Sequence, residues 1–390
     1  MKLVSLILCS LVSIAQGEDN RYIITFKKDQ PGARSASAAA AANTDSFESN
    51  VDSITNLFTA YSTTNNILHK YDTILSGVAA TLDNSTLAKV KALPNVESVE
   101  EDGIAHALAV QNNAPWGLAR ISHRRRLDNS NYQKYEYNPN AGEGTTVYVV
   151  DSGINTSHED FGGRAKWGAN FIYGSSNVDG HGHGTHCAGT VGGNTFGVAK
   201  RAELVAVKVL DRNGKAPWSV IIAGLNWVAQ NARGNRNVIS LSIGGDRNEA
   251  VNRAVTDAYA RGIFVAVAAG NENRDACIVS PASAVNSFTV GATDIYDRKA
   301  SFSNWGQCVD ILAPGVDVLS AGIAHNRATK VMSGTSMATP HVAGLAATLL
   351  SQGVTFSDLR NSLLKTGSTN LISGFSPNTR NILANSGFTN

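Results

Sequence analysis

The spacing of apolar residues changes near residue 108, so the two parts of the chain predict different folds. In the first part, short strand-like apolar runs alternate with helical patterns, which predicts a small α+β module. Its expected elements are a strand at 22–26, an alanine-rich link at 33–42, a helix at 47–61, a strand near 75–82, a helix near 86–93 capped by Asn84 or Ser85, and a strand at 96–101.

The second part alternates strands with helices, as an α/β protein does. Its strand runs are almost continuously apolar, which is typical of parallel strands buried on both faces. The predicted strands are 146–150, 204–209, 238–243, 263–268 and 288–291, and the predicted helices are 219–232, 248–261 and 339–350. We therefore expect a doubly wound parallel sheet with helices on both faces, and functional residues at the carboxyl ends of its strands.

Residues 1–17 predict a secretory signal peptide. Lys2 precedes an apolar run at 3–14, and the run ends in Ala15, Gln16 and Gly17. The run is shorter than the roughly 20 residues that a permanent membrane span needs. No later segment of the sequence is long and apolar enough to span a membrane. We therefore expect a secreted, extracellular protein with no membrane partner.

Composition and charge narrow the class of protein. The 390 residues are 43% hydrophobic, which is enough for a large core and excludes a disordered chain. The formal net charge of +2 is too balanced to indicate nucleic acid as the main partner. Residues 18–108 carry twelve acidic and seven basic side chains, whereas residues 109–390 carry nineteen acidic and twenty-five basic ones. The first module is therefore either an ordinary N-terminal domain or a pro-segment that docks on the second by opposite charge.

The cysteines allow at most one disulfide within the mature chain. Cys9 belongs to the predicted signal peptide, which leaves Cys187, Cys277 and Cys308 in an oxidising compartment. Cys277 and Cys308 lie in polar, turn-rich segments and form the candidate pair. Cys187 lies in a glycine-rich apolar segment, so we expect it to remain a buried thiol.

Acidic and imidazole side chains lie where two predicted elements end or begin. Asp151 follows the strand 146–150 directly, where a structural capping role is as plausible as a catalytic one. His181, His183 and His186 are spaced so that they can either bind zinc or supply one general base near a helix start. Zinc is the weaker alternative, because the segment has no HExxH motif and Cys187 has no CxxC partner.

A serine and an amide occupy two further element ends. Ser336 lies just before or at the start of an apolar helix that follows Pro340, where free N–H groups favour developing negative charge. An N-cap serine is the ordinary alternative, and Ala338 rules out the G-x-S-x-G elbow. Asn271 ends the run 267–270 and is either a turn residue or a donor to an oxyanion.

These motifs together resemble the subtilisin-like serine proteases, in particular the secreted fungal branch typified by proteinase K. The resemblance covers residues from about 109 to the C-terminus. Residues 21–108 resemble the family's inhibitory propeptide, which implies a ferredoxin-like α+β fold for the first module. The order of Asp, His and Ser along the chain is the order that subtilisin has. The matching segments are 113–117, 151–153, 183–189, 241–245, 268–271, 301–304 and 334–340.

The resemblance implies the catalytic roles. Ser336 is the expected nucleophile, His183 the general base and then acid, and Asp151 the residue that orients the imidazole. Asn271 and the backbone N–H of Ser336 are the expected oxyanion hole. His181 departs from the asparagine usual in this branch, and its ring can alter the pKa of the base beside it.

The resemblance also implies how an extended substrate is held. Backbone pairing tolerates many side chains, which predicts broad specificity. No acid occurs in the matched pocket segments 214–218, 241–244 and 268–270, so we expect apolar and aromatic residues at P1, with Trp218 as a wall of the S4 pocket. The expected substrate-binding residues are Gly214, Trp218, Leu241, Ser242, Ile243, Gly244, Ala268, Ala269 and Gly270.

A structural calcium ion is the cofactor that the resemblance implies. Asp310 matches the family's carboxylate ligand, and the carbonyl groups of Val285 and Ser287 are its expected companions. No catalytic cofactor is expected.

The expected domains are a signal peptide at 1–17, an inhibitory propeptide at 18–108 and a peptidase domain at 109–390. Residues 104–108 are expected to lie in the cleft and to be cut near Leu108, so the propeptide and protein or peptide substrates are the partners. Asn84 and Asn155 begin glycosylation sequons. We expect a monomer used in extracellular protein breakdown, for nutrition or host invasion. An inactive scaffold, a zinc hydrolase and an esterase side activity are the alternatives.

Overall fold

A computed structural model describes residues 20–27, 36–61, 64–103, 109–374, 376 and 378–387, and in the first helix the side chains are described from residue 46. The chain divides into two compact units, residues 1–105 and 106–390. The predicted signal peptide and the predicted processing segment at 104–108 lie outside the described residues. The domain boundaries at 17 and 108 therefore stay predictions.

The first unit is a four-stranded antiparallel sheet with two helices. Apolar side chains of the sheet and of the first helix, among them Ile24, Phe26, Ile54 and Val78, form its core. The strands, in sheet order, are Asn66–Tyr71, Gly77–Thr81, Arg21–Phe26 and Val96–Glu101, and the helices are Ala36–Tyr61 and Asn84–Lys91.

Three predictions for this unit were wrong in detail. The first helix begins at Ala36, because the alanines assigned to a link have the highest helix propensity. The second helix is capped by Asp83, whose Oδ1 accepts the N–H of Thr86 at 2.8 Å, and not by Asn84 or Ser85. The strand Asn66–Tyr71 was missed because this edge strand lacks a buried apolar face.

The second unit is built on a sheet of nine strands among the described residues, and the prediction of a doubly wound parallel sheet is confirmed. Neighbouring strands are parallel except for one short antiparallel strand at the edge. In sheet order the strands are Ser368–Thr369, Ile382–Leu383, Ile311–Pro314, Phe288–Thr293, Ile263–Ala268, Asn237–Leu241, Thr146–Asp151, Glu203–Lys208 and Ala165–Asn170.

Helices cover both faces of this sheet. Because alternate residues of a strand point to opposite faces, Val149 contributes to one core and Val150 to the other. Helices His183–Gly192, Thr335–Ser351 and Phe356–Thr366 pack on the first face, and Trp218–Asn231 and Glu249–Ala260 on the second. The remaining elements are the helix Trp116–Ser122, the 3-10 turns Glu159–Phe161 and Ala276–Ile278, and the strand pairs Ala109–Gln111 with Tyr135–Tyr137, Gly245–Asp246 with Val279–Ser280, and Val318–Ala321 with Thr329–Met332.

The helix Thr335–Ser351 begins four residues before the predicted start and contains Pro340. A proline has no N–H, so it cannot bond the carbonyl four residues earlier. That carbonyl belongs to Ser336, and it accepts the Ser242 hydroxyl at 2.9 Å and the Cys187 thiol at 3.4 Å instead. Side chains of two other elements therefore compensate for the proline at the point where Ser336 lies.

The predicted disulfide between Cys277 and Cys308 is confirmed, with a Cα–Cα distance of 5.3 Å. Cys187 is a buried free thiol, as expected.

None of the helices formed by the described residues combines the length and the apolar character that crossing a membrane requires.

Candidate active site

Asp151 is the last residue of the central strand Thr146–Asp151 and is completely buried. Its Oδ1 accepts the N–H of Ser152 at 2.7 Å. The carboxylate is thus fixed at the carboxyl edge of the sheet, where the fold was expected to gather functional residues.

His183 lies beside this carboxylate as the first residue of the helix His183–Gly192. Its Nδ1 is 2.9 Å from both carboxylate oxygens of Asp151. The helix can come this close because residue 184 is glycine: a Cβ there would lie only 3.1 Å from the Asp151 Cβ and closer still to the Gly153 carbonyl oxygen. The glycine of this motif is therefore needed for the carboxylate–imidazole pair.

Asp179 holds the turn that carries His183, a role that the sequence pattern did not reveal. Its Oδ1 accepts the N–H groups of His181 at 3.1 Å and Gly182 at 2.8 Å, and its Oδ2 accepts the N–H of Thr185 at 2.9 Å. Oδ1 also accepts the hydroxyl of Ser152 at 2.8 Å. One buried carboxylate thereby ties the turn to the end of the strand that carries Asp151.

The environment of His183 favours its protonated form. Burial alone would lower the pKa of His183, but the adjacent Asp151 carboxylate, together with Cys187, raises it well above 6.5. The Cys187 sulfur is 3.9 Å from Nδ1, and burial raises the pKa of this thiol. Because Nδ1 is committed to Asp151, Nε2 is the ring nitrogen left for proton transfer.

The histidine cluster does not form a zinc site. His186 is buried, its Nε2 lies 2.9 Å from the Val318 carbonyl oxygen, and burial lowers its pKa to about 4. Among the described residues, the ligand atoms that converge within 4.8 Å are those of Asp151, His183 and Cys187, a set that excludes both other histidines. The rings of His181, His183 and His186 therefore do not converge on one metal position. The ring centroids of His181 and His183 are 6.1 Å apart.

Ser336 occupies the first turn of the helix Thr335–Ser351, as expected from its motif. Its hydroxyl donates to the Ser242 carbonyl oxygen at 3.2 Å, while its own carbonyl accepts the Ser242 hydroxyl at 2.9 Å. This exchange fixes Ser336 against the end of the strand Asn237–Leu241.

Asn271 is oriented by Thr335, another residue that the sequence pattern did not single out. The Asn271 Oδ1 accepts the backbone N–H of Thr335 at 2.8 Å and its hydroxyl at 3.0 Å. The Thr335 hydroxyl in turn accepts the N–H of Gly270 at 3.2 Å. Because the amide oxygen is held in this way, the Nδ2 donor of Asn271 is left free of Thr335, and Asn271 and Ser336 line the same cavity.

The predicted substrate segments lie around these groups. Leu241, Ser242 and Ile243 are buried and lead to the exposed Gly244. The Trp218 ring lies against Gly245, where a Cβ would be 2.8 Å from it. Gly214 has a φ of 72°, and a Cβ on it would lie 3.0 Å from the His181 Nε2. The segments around 214–218 and 241–245 thus face each other near the histidine pair.

A cavity of about 60 Å³ opens beside Ser336. No acid was expected at this pocket from the sequence, but the carboxylate of Glu272 lines it. That carboxylate accepts Asn304 Nδ2 at 2.8 Å and lies 3.8 Å from the Arg274 guanidinium. The lining residues are Gly244, Gly245, Ala268, Gly270, Asn271, Glu272, Val279, Thr335 and Ser336.

Asn304 supports one wall of this cavity. Its Nδ2 donates to the Ala269 carbonyl at 2.9 Å, and its Oδ1 accepts the N–H groups of Glu272 at 3.1 Å and Arg274 at 2.9 Å. The segment 301–304 had been matched to the family without a role for this residue. The sequence feature that could have placed Glu272 at this cavity is its position directly after Asn271.

The predicted calcium ligands have another partner. The Arg360 guanidinium donates to Asp310 Oδ1 at 2.6 Å and to the Ser287 carbonyl oxygen at 3.0 Å. Burial raises the pKa of Asp310, and Arg360 and Arg380 oppose this effect. Two of the three expected ligand groups, those of Asp310 and Ser287, therefore already bind a guanidinium and leave no place for a calcium ion beside it. The third residue, Val285, is 85% exposed.

The two sequon asparagines differ in their surroundings. Asn84 is exposed at the start of the helix Asn84–Lys91. Asn155 is half-buried, and its side-chain amide donates to Asn326 at 3.2 Å. Glycosylation of either residue stays a prediction.

The geometry is that of nucleophilic acyl transfer, with a carboxylate–imidazole pair, a serine at a helix start and an amide donor beside a cavity. A model of the Subtilase family of peptidases matches residues 142–382, and one of the Peptidase inhibitor I9 family matches residues 21–107.

Individual relatives agree with the Subtilase match. Subtilisin-like protease 2 of Pseudogymnoascus destructans is 51% identical over 288 residues, which cover 73% of this chain and 71% of its own. Proteinase R of Parengyodontium album is 47% identical over 322 residues, 81% of each chain. The crystal structure of a cold adapted subtilisin-like serine proteinase superposes with a TM-score of 0.67 at 44% identity, over 70% of this chain and 99% of the other. The chain belongs to the subtilase family of serine proteases, and it carries an inhibitor I9 propeptide before its peptidase domain.

Proposed function

We propose that this serine protease is a secreted endopeptidase, made as a zymogen that processes itself and then cleaves proteins with broad specificity. The observation that supports its chemistry best is the pairing of His183 Nδ1 with both oxygens of Asp151 at 2.9 Å. That pairing leaves Nε2 of the imidazole as the base. It lies at the carboxyl edge of the sheet, where Ser336 is hydrogen-bonded to Ser242 at the end of a neighbouring strand.

In the proposed acylation step, Ser336 Oγ forms a bond to the scissile carbonyl carbon and gives its proton to His183 Nε2. To do so, the hydroxyl exchanges its hydrogen bond with the Ser242 carbonyl for one with His183. The tetrahedral intermediate then loses the amine, which takes the proton from His183. Water hydrolyses the acyl-enzyme by the same transfers in reverse, and Asp151 stabilises the imidazolium in both halves.

The negative charge on the former carbonyl oxygen is assigned to two donors, Asn271 Nδ2 and the backbone N–H of Ser336. Support comes from the double anchoring of the Asn271 Oδ1 by Thr335, which holds the amide without any need to reorganise during the reaction. The N-terminal end of the helix Thr335–Ser351 adds a favourable dipole.

Substrate backbone is assigned to the two facing segments, with Leu241, Ser242, Ile243 and Gly244 on one side and Gly214 on the other. The cavity lined by Ala268 and Gly270 is the proposed S1 pocket, with Ala269 behind it, and Trp218 is the proposed wall of S4. Because Ala268 and Gly270 are small, they leave room in the pocket for apolar and aromatic P1 residues. Glu272 adds a carboxylate that can also accept a lysine at P1.

Secretion and self-processing rest on the beginning of the chain. Residues 1–17 have the pattern of a signal peptide, and the I9 match at 21–107 ends just before the proposed cut near Leu108. The acidic segment 18–108 and the basic segment 109–390 attract each other, which favours the propeptide as an intramolecular inhibitor.

The decisive measurement is the intact mass of the secreted protein from wild type and from Ser336→Ala. We expect wild type to lose residues 18–108 and the variant to keep them, because the nucleophile that cuts the junction is then missing. Ser333→Ala is the matched control, since Ser333 lies in the same segment but is exposed and bonds Asp317. This control should be processed like wild type.

Two other results would contradict the proposal in different ways. Equal processing of wild type and Ser336→Ala would show that another protease removes the segment. A wild-type protein that is secreted whole would show that residues 18–108 are an ordinary domain. In either case, hydrolysis of casein by wild type and its loss in Ser336→Ala would decide separately whether Ser336 is a nucleophile.

A further inference from the structure

The carboxylate of Asp310 lies at the start of the strand Ile311–Pro314 and faces the carbonyl group of Ser287. Its Oδ2 accepts the N–H of Thr289 at 2.9 Å, and its side chain is only 5% exposed. A carboxylate oxygen and a carbonyl oxygen so placed form one side of an oxygen cradle for a cation. We call the Asp310 carboxylate and the Ser287 carbonyl group the Asp310 cradle.

Arg360 brings a cation into this cradle from a separate element. It projects from the helix Phe356–Thr366, and its guanidinium lies over the Phe288 ring at 5.3 Å from the centroid. Nη2 donates to Asp310 Oδ1 at 2.6 Å and Nη1 to the Ser287 carbonyl oxygen at 3.0 Å. The fixed fork of the guanidinium therefore meets both oxygens of the cradle at once.

A calcium ion and this guanidinium exclude each other. Calcium requires oxygen ligands at about 2.3–2.6 Å, so an ion bound to Asp310 Oδ1 and the Ser287 oxygen would contact the guanidinium nitrogens that now bond the same atoms. Two cations at that separation repel strongly. Arg380, at 3.7 Å from Asp310 Oδ1, adds a second positive charge.

We propose that Arg360 takes the place of calcium at the Asp310 cradle, so that this part of the peptidase domain is held by an internal cation. The strands that begin at Phe288 and Ile311 and the helix Phe356–Thr366 are then joined without an ion from solution. The cradle is consequently insensitive to chelators, whatever calcium binds elsewhere on the chain. Removing the guanidinium opens the cradle to a divalent cation.

The test measures how much calcium raises the midpoint of thermal unfolding. The full secreted protein, kept from autolysis by a serine-directed sulfonyl fluoride, is heated in excess EDTA and in millimolar calcium chloride. The comparison uses wild type, Asp310→Asn, Arg360→Gln and the double variant. Arg327→Gln is the matched control, since Arg327 forms a comparable bond to Glu159 at 2.6 Å on an exposed surface.

We expect calcium to raise the midpoint equally in wild type, Asp310→Asn and Arg327→Gln, because the cradle binds no calcium in any of them. Arg360→Gln should unfold earlier in EDTA, show a larger calcium increment, and bind one more calcium ion by calorimetry than wild type. The double variant should lose that gain. The proposal would be overturned if calcium raised the midpoint of wild type and Asp310→Asn abolished that rise. It would also be overturned if calcium raised the midpoint of Arg360→Gln by no more than that of wild type. If Arg360→Gln is not secreted, the comparison of wild type with Asp310→Asn still decides.

Discussion

Ser242 and Ser336 exchange two hydrogen bonds, each hydroxyl donating to the carbonyl oxygen of the other residue, at 2.9 and 3.2 Å. The exchange connects the proposed substrate-binding strand end to the proposed nucleophile. The bond from the Ser242 hydroxyl, together with one from the Cys187 thiol, replaces the helical N–H that Pro340 cannot supply to the Ser336 carbonyl.

Ser242→Ala should therefore lower kcat while leaving KM almost unchanged, since the main chain of residue 242 remains to pair with substrate. One neutral hydrogen bond contributes about 0.5–1.5 kcal/mol, which corresponds to a loss of roughly 2–10-fold in kcat. Steady-state kinetics on a peptide anilide measures both constants. Ser240→Ala is a matched control, because Ser240 lies in the strand that ends just before Ser242 and its buried hydroxyl has no hydrogen-bond partner among the described residues. Equal losses in the two variants would contradict the assigned role.

The pH dependence of activity should report His183. The imidazole must be neutral to accept the Ser336 proton, and the Asp151 carboxylate raises its pKa well above 6.5 against the effect of burial. Activity should consequently be lost as the pH falls through a midpoint above 6.5. Asp151→Asn removes the negative charge that raises the pKa of His183, while burial still lowers that pKa. The midpoint should therefore move to lower pH, and kcat should fall by about 10⁴-fold.

The profile of kcat/KM against pH gives this midpoint for the free enzyme. A profile whose acid limb is the same in wild type and Asp151→Asn would show that another group controls it. His181 is the nearest alternative, and a His181→Asn variant separates the two. We expect that variant to retain an acid limb above 6.5, because the bond between His183 and Asp151 is intact.

The main groups of the site could be predicted because each ends or begins an element whose sequence pattern is local. Asp151 ends an apolar strand, and Ser336 lies in the first turn of an apolar helix. The supporting residues could not be found in this way. Asp179 bonds a turn that only the folded chain forms, and Arg360 meets Asp310 from fifty positions away. Pro340 misled the prediction of a helix start, because the bond it removes is replaced by Ser242 and Cys187 from other elements.

Thr335→Val should reveal a positioning residue of the proposed oxyanion hole. Valine keeps the backbone N–H bond to Asn271 Oδ1 and removes the hydroxyl that donates to the same oxygen. We expect kcat to fall by roughly tenfold, the effect of one hydrogen bond, and Thr335→Ser to restore it. Asn271→Leu removes the donor itself and should cost about 10²–10³-fold. A Thr335→Ser enzyme as slow as Thr335→Val would show that shape, not the hydroxyl, matters.

Glu272→Gln should change the choice of P1 residue. Removing the carboxylate from the cavity should reduce kcat/KM for a lysine substrate relative to a phenylalanine substrate. The change should not exceed about fivefold, because an exposed ion pair contributes about 1 kcal/mol at most and Glu272 already has Arg274 nearby. Glu203→Gln is the control, since Glu203 pairs with Lys166 at the opposite, amino end of the sheet. A lysine-to-phenylalanine ratio that stays constant in Glu272→Gln would exclude this carboxylate from P1 recognition.

Replacing both Cys277 and Cys308 by alanine should lower the free energy of unfolding by about 3–4 kcal/mol, because the bond closes a loop with a sequence separation of 31 and so restricts the unfolded chain. The midpoint of urea unfolding, measured on protein blocked at the serine, should fall accordingly. A reducing agent should bring wild type down to the value of the double variant and leave the double variant unchanged. Cys187 is a free thiol in both proteins, so any difference between them under oxidising conditions belongs to this one bond. A wild-type midpoint that does not respond to reduction would show that the bond is not formed in the secreted protein.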